Sequence, residues 1–230
     1  MKSKIKIEVV SDVVCPWCYI GKRRLEGAIG SLKDDYDVEV TYLPFQLSPD
    51  TPADGENMKQ RLIEKFGGEE RFHQIINQVS EVAAKEGLKF DLENQEITPN
   101  THPLHRVVWY AQKQGKQLEM VESFFKAYFE DAMDLSQNEN VIKLAASIGL
   151  NQQEISNLLS SDSGKPEIDQ LFYQNRLMGI SSVPYYIINE KYSISGAQPT
   201  ELFLEALPKI AEMAPLAGET CDVNDADCLM

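Results

Sequence analysis

The sequence has little positive charge. Its 22 lysine and arginine residues stand against 36 aspartate and glutamate residues, which gives a formal net charge of −14. Nucleic-acid backbones and anionic membrane surfaces both require basic patches on the proteins that bind them. The imbalance therefore predicts neither a nucleic-acid partner nor a membrane partner. Long hydrophobic runs are also missing, since no stretch approaches the ~18 apolar residues that span a bilayer.

The sequence also shows no targeting signal and few cysteines. It begins Met-Lys-Ser-Lys-Ile-Lys and passes directly into a strand pattern, without an apolar signal core or a small-residue cleavage site. We therefore expect a cytoplasmic protein. The four cysteines form two local pairs, Cys15 with Cys18 and Cys221 with Cys228. Structural disulfides are rare in a reducing compartment, so a C-x-x-C pair there favours catalysis or metal binding.

The first cysteine pair follows a strand pattern and opens a helix pattern. The β-branched run at 5–10 predicts a strand, and Cys15-Pro16-Trp17-Cys18 precedes an amphipathic segment. Pro16 suits the first helical position because its fixed φ matches the helix. Cys15 is therefore expected at the helix N-terminus, where free N–H groups and the helix dipole favour a thiolate. Such sites lower a cysteine pKa from ~8.5 to roughly 3.5–7.5.

The spacing of these residues predicts a role for each. Cys15 is the predicted nucleophile that forms a mixed disulfide, and Cys18, on the same helical face, resolves it. Pro16 and Trp17 are expected to shape the site, and Trp17 either contacts substrate or only packs. Asp12 is either a proton relay at the strand end or a carboxylate that caps the turn or the helix start.

The hydrophobic period changes twice along the chain. The pattern at residues 1–48 predicts a strand, a helix and a second strand, and the pattern at residues 49–164 is helical throughout. Residues 165–213 have the pattern of a helix, two strands and a final helix. A helical block between two halves of one sheet pattern is most simply an insertion. We predict an α/β (α+β) fold with an inserted helical domain at 49–164, followed by a flexible tail at 214–230.

Five stretches of the sequence carry a family resemblance: 11–21, 100–106, 128–130, 182–188 and 195–199. Taken together, they resemble the DsbA-like branch of the thioredoxin superfamily, and more narrowly the FrnE-type proteins, predicted dithiol–disulfide isomerases. The resemblance implies a thioredoxin fold interrupted by a large all-helical insertion domain. It also implies that Pro184 is cis and faces the Cys15 sulfur, with the Val183 backbone open to pair with an extended substrate strand.

The resemblance implies a cytoplasmic thiol–disulfide oxidoreductase or isomerase that uses no metal and no organic cofactor. Its expected partners are protein or small-molecule thiols and disulfides, including glutathione or a thioredoxin system, and the oligomeric state stays open. One alternative is a glutathione-dependent transferase or isomerase similar to the kappa-class transferases and the 2-hydroxychromene-2-carboxylate isomerases. Those relatives commonly have Ser where this chain has Cys15, and they lack the second cysteine. Another alternative is a chaperone-like binding module.

Metal binding is the competing interpretation of the C-x-x-C pair. A structural zinc ion would need two further ligands, either the tail cysteines or His102 with His105. Six residues separate the tail cysteines, more than the usual two to four, so redox chemistry is favoured and no metal is predicted. Either histidine is also a candidate for raising the thiolate character of Cys15.

The tail cysteines allow two interpretations of their own. Cys221 and Cys228 either form a shuttle dithiol that relays electrons to the first pair, or they are exposed thiols without a catalytic role. The acidic residues between them lack the glycine and the final glutamate of a calcium loop, so calcium binding is rejected.

Overall fold

The computed structural model describes residues 2–213, so the predictions for Cys221, Cys228 and the tail at 214–230 lie outside the described residues. None of the helices in this range has both the length and the apolar character needed to cross a bilayer. The elements are β1 (Ser3–Ser11), α1 (Pro16–Leu32), β2 (Tyr36–Pro44), β3 (Glu56–Asn57), α2 (Met58–Phe66), α3 (Glu69–Lys85), β4 (Ile97–Thr98), α4 (His102–Lys113), α5 (Gln117–Phe129), α6 (Asn138–Ser147), α7 (Gln152–Leu159), α8 (Lys165–Leu177), β5 (Tyr185–Ile188), β6 (Tyr192–Ser195) and α9 (Thr200–Met213).

The main sheet has the strand order β2-β1-β5-β6. β1 is parallel to β2, with α1 as the crossover, and antiparallel to β5, which continues into β6. Successive residues of a strand point to opposite faces, and Val9 and Val10 are both buried. Helices therefore cover both faces of the central strand. The α/β architecture with a helical insertion that the sequence predicts is confirmed.

A tight hairpin joins the last two strands. Asn189 and Glu190 both have positive φ, 50° and 59°, as a type I′ turn requires. The Asn189 side chain accepts the Lys6 N–H at 2.9 Å, which ties the turn to β1. The hairpin predicted from residues 185–195 is thereby fixed against the central strand, and it holds the chain just before β5 close to α1.

The insertion contains one feature that the sequence patterns do not predict. Glu56 pairs with Thr98 and Asn57 with Ile97 in a short antiparallel ladder. Strands of two residues are too short to show a hydrophobic period, which explains why this part of the sequence indicates only helices and a polar connector. The ladder closes the base of α2 against the segment that enters α4.

The insertion and helix α1 share one hydrophobic core. The Tyr19 ring, next to Cys18 in the chain, stacks on Phe125 with ring centroids 5.0 Å apart and on Phe90 at 5.9 Å. Such aromatic pairs contribute ~0.5–1.5 kcal/mol beyond the burial of their area. The helix that carries both cysteines is therefore held by residues of the insertion as well as by the sheet.

Candidate active site

Cys15 lies immediately before the first residue of helix α1. It is the N-cap residue, with φ −94° and ψ 110°, and Pro16 occupies the first helical position. The Cys15 N–H donates to the Asp12 carbonyl at 3.1 Å, and the Cys18 N–H donates to the Cys15 carbonyl at 3.0 Å. Both cysteines are free thiols. The first turn of α1 thus carries both sulfurs, with Cys15 at the positive end of the helix dipole.

The segment before β5 faces the first cysteine. The peptide bond between Val183 and Pro184 is cis, and the Cys15 thiol donates to the Val183 carbonyl, with 3.6 Å between sulfur and oxygen. The Pro184 carbonyl in turn accepts the Gly196 N–H at 2.8 Å, which ties this segment to the end of β6. The backbone beside Cys15 is therefore held from both strands of the hairpin.

Both cysteine side chains are buried, with Cys15 4 % and Cys18 2 % exposed. Burial raises the pKa of the Cys18 thiol well above its ordinary value, and the hydrogen bond and negative charge of Cys15 raise it further, while hydrogen bonds from the Ser11 side chain and the Asp12 backbone act in the opposite direction. Burial disfavours an anion because the low-dielectric interior solvates it poorly. The neutral thiol form of Cys18 is therefore favoured in this structure.

A cleft of about 360 Å³ opens beside Cys15. Trp17, 40 % exposed, stands at its edge together with Cys15 and Val183. Two cationic side chains also line it, Arg61, which pairs with Glu56, and Lys65. Much of its apolar wall comes from the insertion, from Met58, Leu62 and Phe66 of α2 and Ile75, Ile76 and Val79 of α3.

Asp12 caps a loop rather than the helix. Its carboxylate is 1 % exposed, and Oδ2 accepts the Leu47 N–H at 2.8 Å. Oδ1 lies 3.3 Å from His105 Nε2, but that nitrogen has its closer partner in the Phe45 carbonyl at 2.8 Å. Neither carboxylate oxygen accepts an N–H of the first turn of α1 among the described residues, so the alternative in which Asp12 caps the turn or the helix start gains no support, and the proton relay stays a prediction. The carboxylate instead stabilises the loop that follows β2.

The two candidate histidines have contacts with other residues, and no hydrogen bond from either one to Cys15 or Cys18 is present among the described residues. His102 Nε2 lies 3.0 Å from Asp169 Oδ1, and His105 contacts Phe45 and Asp12. Between residues 2 and 213, no three side chains of the histidine, cysteine, aspartate and glutamate types gather closely enough to hold a metal ion. The structure therefore does not bring His102 and His105 together with Cys15 and Cys18 as the ligands of a zinc ion.

One residue of this region is absent from the sequence-based prediction. Tyr186, on β5, is 1 % exposed, and a Cβ built on Gly21 would lie 2.3 Å from its hydroxyl oxygen. Glycine inside a helix is costly, so a helical glycine often marks a close approach. Gly21, one turn after Cys18, is the signal in the sequence that points to this contact.

Three features define the class of protein. The sheet is of the thioredoxin type, a C-x-x-C pair lies at the start of helix α1, and a cis-proline segment contacts the sulfur of the first cysteine. The protein-family model described as a DSBA-like thioredoxin domain matches residues 6–208 of the sequence. The chain therefore belongs to the DSBA-like thioredoxin domain family. Membership of this family, together with the free thiols of Cys15 and Cys18, supports an enzyme of the oxidoreductase type.

Similar proteins cover most of the chain. The uncharacterized protein YwbO of Bacillus subtilis is 25 % identical over 204 residues, which are 88 % of this chain and 96 % of YwbO. A crystal structure of a probable DsbA oxidoreductase from Streptomyces coelicolor has a TM-score of 0.86 at 28 % identity, and the match covers 97 % of each chain. The cytosolic disulfide reductase DsbM of Pseudomonas aeruginosa shares the fold, with a TM-score of 0.61 at 14 % identity over 91 % of this chain and 100 % of DsbM.

Proposed function

We propose that the chain is a cytoplasmic dithiol–disulfide oxidoreductase and isomerase of the FrnE type, with Cys15 and Cys18 as its redox centre. The observation that carries this proposal is the position of Cys15. Its sulfur stands at the N-terminus of α1 and against the Val183 carbonyl, and it borders an open cleft. Cys18 lies three residues further along, in the first turn of α1, where it is buried and its raised pKa favours the neutral thiol.

The reaction has two exchange steps. The Cys15 thiolate attacks one sulfur of a substrate disulfide; the substrate S–S bond breaks, and the other substrate sulfur leaves with the electron pair as a thiolate. Cys18 then loses its proton to solvent and attacks the Cys15 sulfur, which forms the Cys15–Cys18 disulfide and releases the second substrate thiolate. Two electrons pass from the protein dithiol to the substrate, and the reverse sequence oxidises a substrate dithiol.

Isomerisation uses the same first step. If a second thiol of the substrate attacks the mixed disulfide before Cys18 does, the substrate leaves with a new disulfide and the protein dithiol is regenerated. The raised pKa of Cys18 slows its own attack and so gives the substrate time to rearrange. Both electrons reside on the two sulfurs, so the proposed chemistry uses no metal and no organic cofactor.

Substrate contacts are assigned to the backbone and to the cleft. Val183, beside the cis-proline, offers main-chain groups to an extended substrate segment, and Pro184 keeps that backbone turned toward Cys15. We divide the chain into a thioredoxin-like domain (1–48 and 165–213) and an inserted domain (49–164). On this division, much of the apolar wall of the cleft beside Trp17 belongs to the inserted domain. Protein disulfides and small thiols such as glutathione, which occurs with DsbM in a solved structure, are the proposed partners.

Trapping of the mixed disulfide tests this assignment. In Cys18→Ser, a disulfide substrate is expected to remain covalently attached to Cys15, and in Cys15→Ser no adduct is expected. Mass spectrometry after acid quenching identifies the adduct, and Cys221→Ser with Cys228→Ser in every variant restricts the reaction to the first pair. Iodoacetamide should label Cys15 faster than an ordinary free thiol; labelling at the ordinary rate would contradict the proposal.

Two further outcomes would support the other functions considered. Glutathione conjugation that survives in Cys18→Ala would favour a transferase over an oxidoreductase. Suppression of client aggregation that survives the loss of both Cys15 and Cys18 would favour a binding module. A redox titration with alkylation then gives the direction of the reaction, since known relatives range from about −120 mV for an oxidant to about −270 mV for a reductant.

A further inference from the structure

The Tyr186 hydroxyl is buried and has no hydrogen-bond partner among residues 2–213. An unpaired polar group in a protein interior costs roughly 1–3 kcal/mol, so a hydroxyl in this position calls for an explanation. The ring itself is well placed, because it packs edge-on against Phe203 of α9 with centroids 4.9 Å apart. A phenylalanine would keep this packing without the unpaired oxygen.

Helix α1 is shaped to admit this hydroxyl. A Cβ on Gly21 would stand 2.3 Å from the Tyr186 oxygen and 3.1 Å from Pro184 Cγ, so only glycine allows the helix to lie this close. Gly21 is three positions after Cys18, and residues three apart share a helical face. The hydroxyl therefore meets α1 on the face that carries the resolving cysteine, beneath the cis-proline segment.

The electrostatics of the pocket agree with this geometry. Burial raises the pKa of Tyr186, and the negative charge of Cys18, followed by that of Cys15, raises it further, while Arg24 opposes the change. Tyr42 of β2 is a further buried tyrosine coupled to this region, and its pKa is raised by burial and by Tyr186, Glu26, Cys18 and Glu122. The Asp12 carboxylate is engaged with Leu47 and faces His105.

We propose that the Tyr186 hydroxyl is an additional hydrogen-bond donor to Cys18 when Cys18 ionises to resolve the mixed disulfide. The inference rests on the proposed function and assigns to it a positioning residue that the motif does not contain. In the reduced protein Cys18 is a neutral thiol and the hydroxyl has no partner. When the Cys18 sulfur becomes an anion, it supplies a charged acceptor on the same helical face. The Ser11 side chain and the Asp12 backbone also hydrogen-bond to Cys18, and the hydroxyl adds a further donor in an interior that solvates an anion poorly.

The chemistry stays balanced because tyrosine keeps its proton throughout. The Cys18 proton passes to solvent, the Cys18 sulfur attacks Cys15, and the bond between Cys15 and the substrate breaks. The leaving substrate sulfur takes the electron pair and is protonated from solvent. Tyr186 only donates a hydrogen bond to the attacking sulfur, and the donation ends when that sulfur enters the disulfide.

Ellman's reagent separates the two steps in time. In full-length protein with Cys221→Ser and Cys228→Ser, attack by Cys15 releases one thionitrobenzoate and leaves a mixed disulfide. Attack by Cys18 then releases the second. In Tyr186→Phe we expect the first release to be unchanged and the second to slow about tenfold at neutral pH, with its pH midpoint about one unit higher, since a hydrogen bond to a charged group has this magnitude.

Neighbouring tyrosines supply the controls. Tyr185 is half-buried on the same strand, with its side chain on the opposite face, and Tyr185→Phe should leave both releases unchanged. Tyr42→Phe tests the hydroxyl of the further buried tyrosine. An unshifted second release in Tyr186→Phe, or a shift produced by Tyr42→Phe instead, would overturn the inference while the proposed function stands. Absence of the first release in every variant would overturn both.

A fold defect is distinguishable from the proposed effect. Tyr186→Phe removes only an unpartnered oxygen and keeps the contact with Phe203. Its melting temperature should therefore equal or exceed that of the parent, while the second release slows. Slower resolution in a variant that has also lost thermal stability would be a structural effect and would contradict the assignment.

Discussion

Asp12 and His105 form a contact between the active-site segment and the insertion. Oδ1 of Asp12 lies 3.3 Å from Nε2 of His105, and both side chains are buried. The same carboxylate holds the Leu47 N–H through Oδ2, and Leu47 lines the cleft. One buried carboxylate therefore connects the segment before Cys15, the loop after β2 and helix α4.

Replacement of Asp12 by alanine should destabilise the protein. The Leu47 N–H would lose its acceptor, and leaving such a group unpaired costs roughly 1–3 kcal/mol. Asp12→Asn keeps an acceptor oxygen at the same place and should lose clearly less. Urea unfolding followed by circular dichroism measures both variants. Equal midpoints for Asp12→Ala and the parent protein would show that the contact with Leu47 contributes nothing to the free energy of unfolding.

Because Gly21 and Tyr186 are in contact, the effects of mutating them on the free energy of unfolding should not be additive. Gly21→Ala forces a methyl group to within 2.3 Å of the tyrosine oxygen, and overpacking of this kind typically costs ~1–3 kcal/mol. Because Tyr186→Phe removes that oxygen, the double variant should recover a large part of the loss. The coupling free energy from a double-mutant cycle of unfolding should fall at ~0.5–3 kcal/mol. Strict additivity would exclude direct contact.

Local sequence patterns predict the backbone of the site but not all of its side-chain contacts. The strand at 5–10, the helix opened by Pro16 and the turn at 189–191 each leave a signal within a few residues. The contact of Asp12 with His105 leaves none, because it joins residues far apart in the chain through tertiary packing.

Glu122 should make stability depend on pH in the acid range. Lys22 Nζ bonds Glu122 Oε2 at 2.6 Å and Glu26 Oε1 at 2.5 Å, and the lysine side chain is only 6 % exposed. Burial raises the pKa of Glu122, but the hydrogen bonds and charges of Arg23 and Lys22 outweigh it and hold that pKa below its usual range. The folded state thus binds the proton more weakly than the unfolded state.

The sign of the effect follows from this depression. The stabilisation by Glu122 is fully present above the unfolded carboxyl pKa of ~4.3 and is lost as pH falls through the lower folded value. Glu122→Gln should therefore lower the free energy of unfolding at neutral pH and flatten its decline in acid. Urea midpoints measured from neutral to strongly acidic pH give both curves, and Glu119→Gln, on the same helix, serves as the control. Parallel curves for Glu122→Gln and the parent would contradict the prediction.

Trp17 should affect large substrates more than small ones. Its indole is 40 % exposed at the edge of the cleft beside Cys15, so an apolar side chain next to a substrate disulfide can cover it. Covering roughly 40–60 Å² of apolar surface contributes about 1–1.5 kcal/mol, which corresponds to about a five- to tenfold change in kcat/KM. Trp17→Ala should lose this factor with a peptide disulfide flanked by leucine or phenylalanine, and much less with oxidised glutathione. Tyr173→Ala removes an aromatic side chain that is 51 % exposed and lies outside the cleft lining, and it should change neither rate. Equal losses with both substrates would mean that Trp17 tunes the redox pair rather than contacting the substrate.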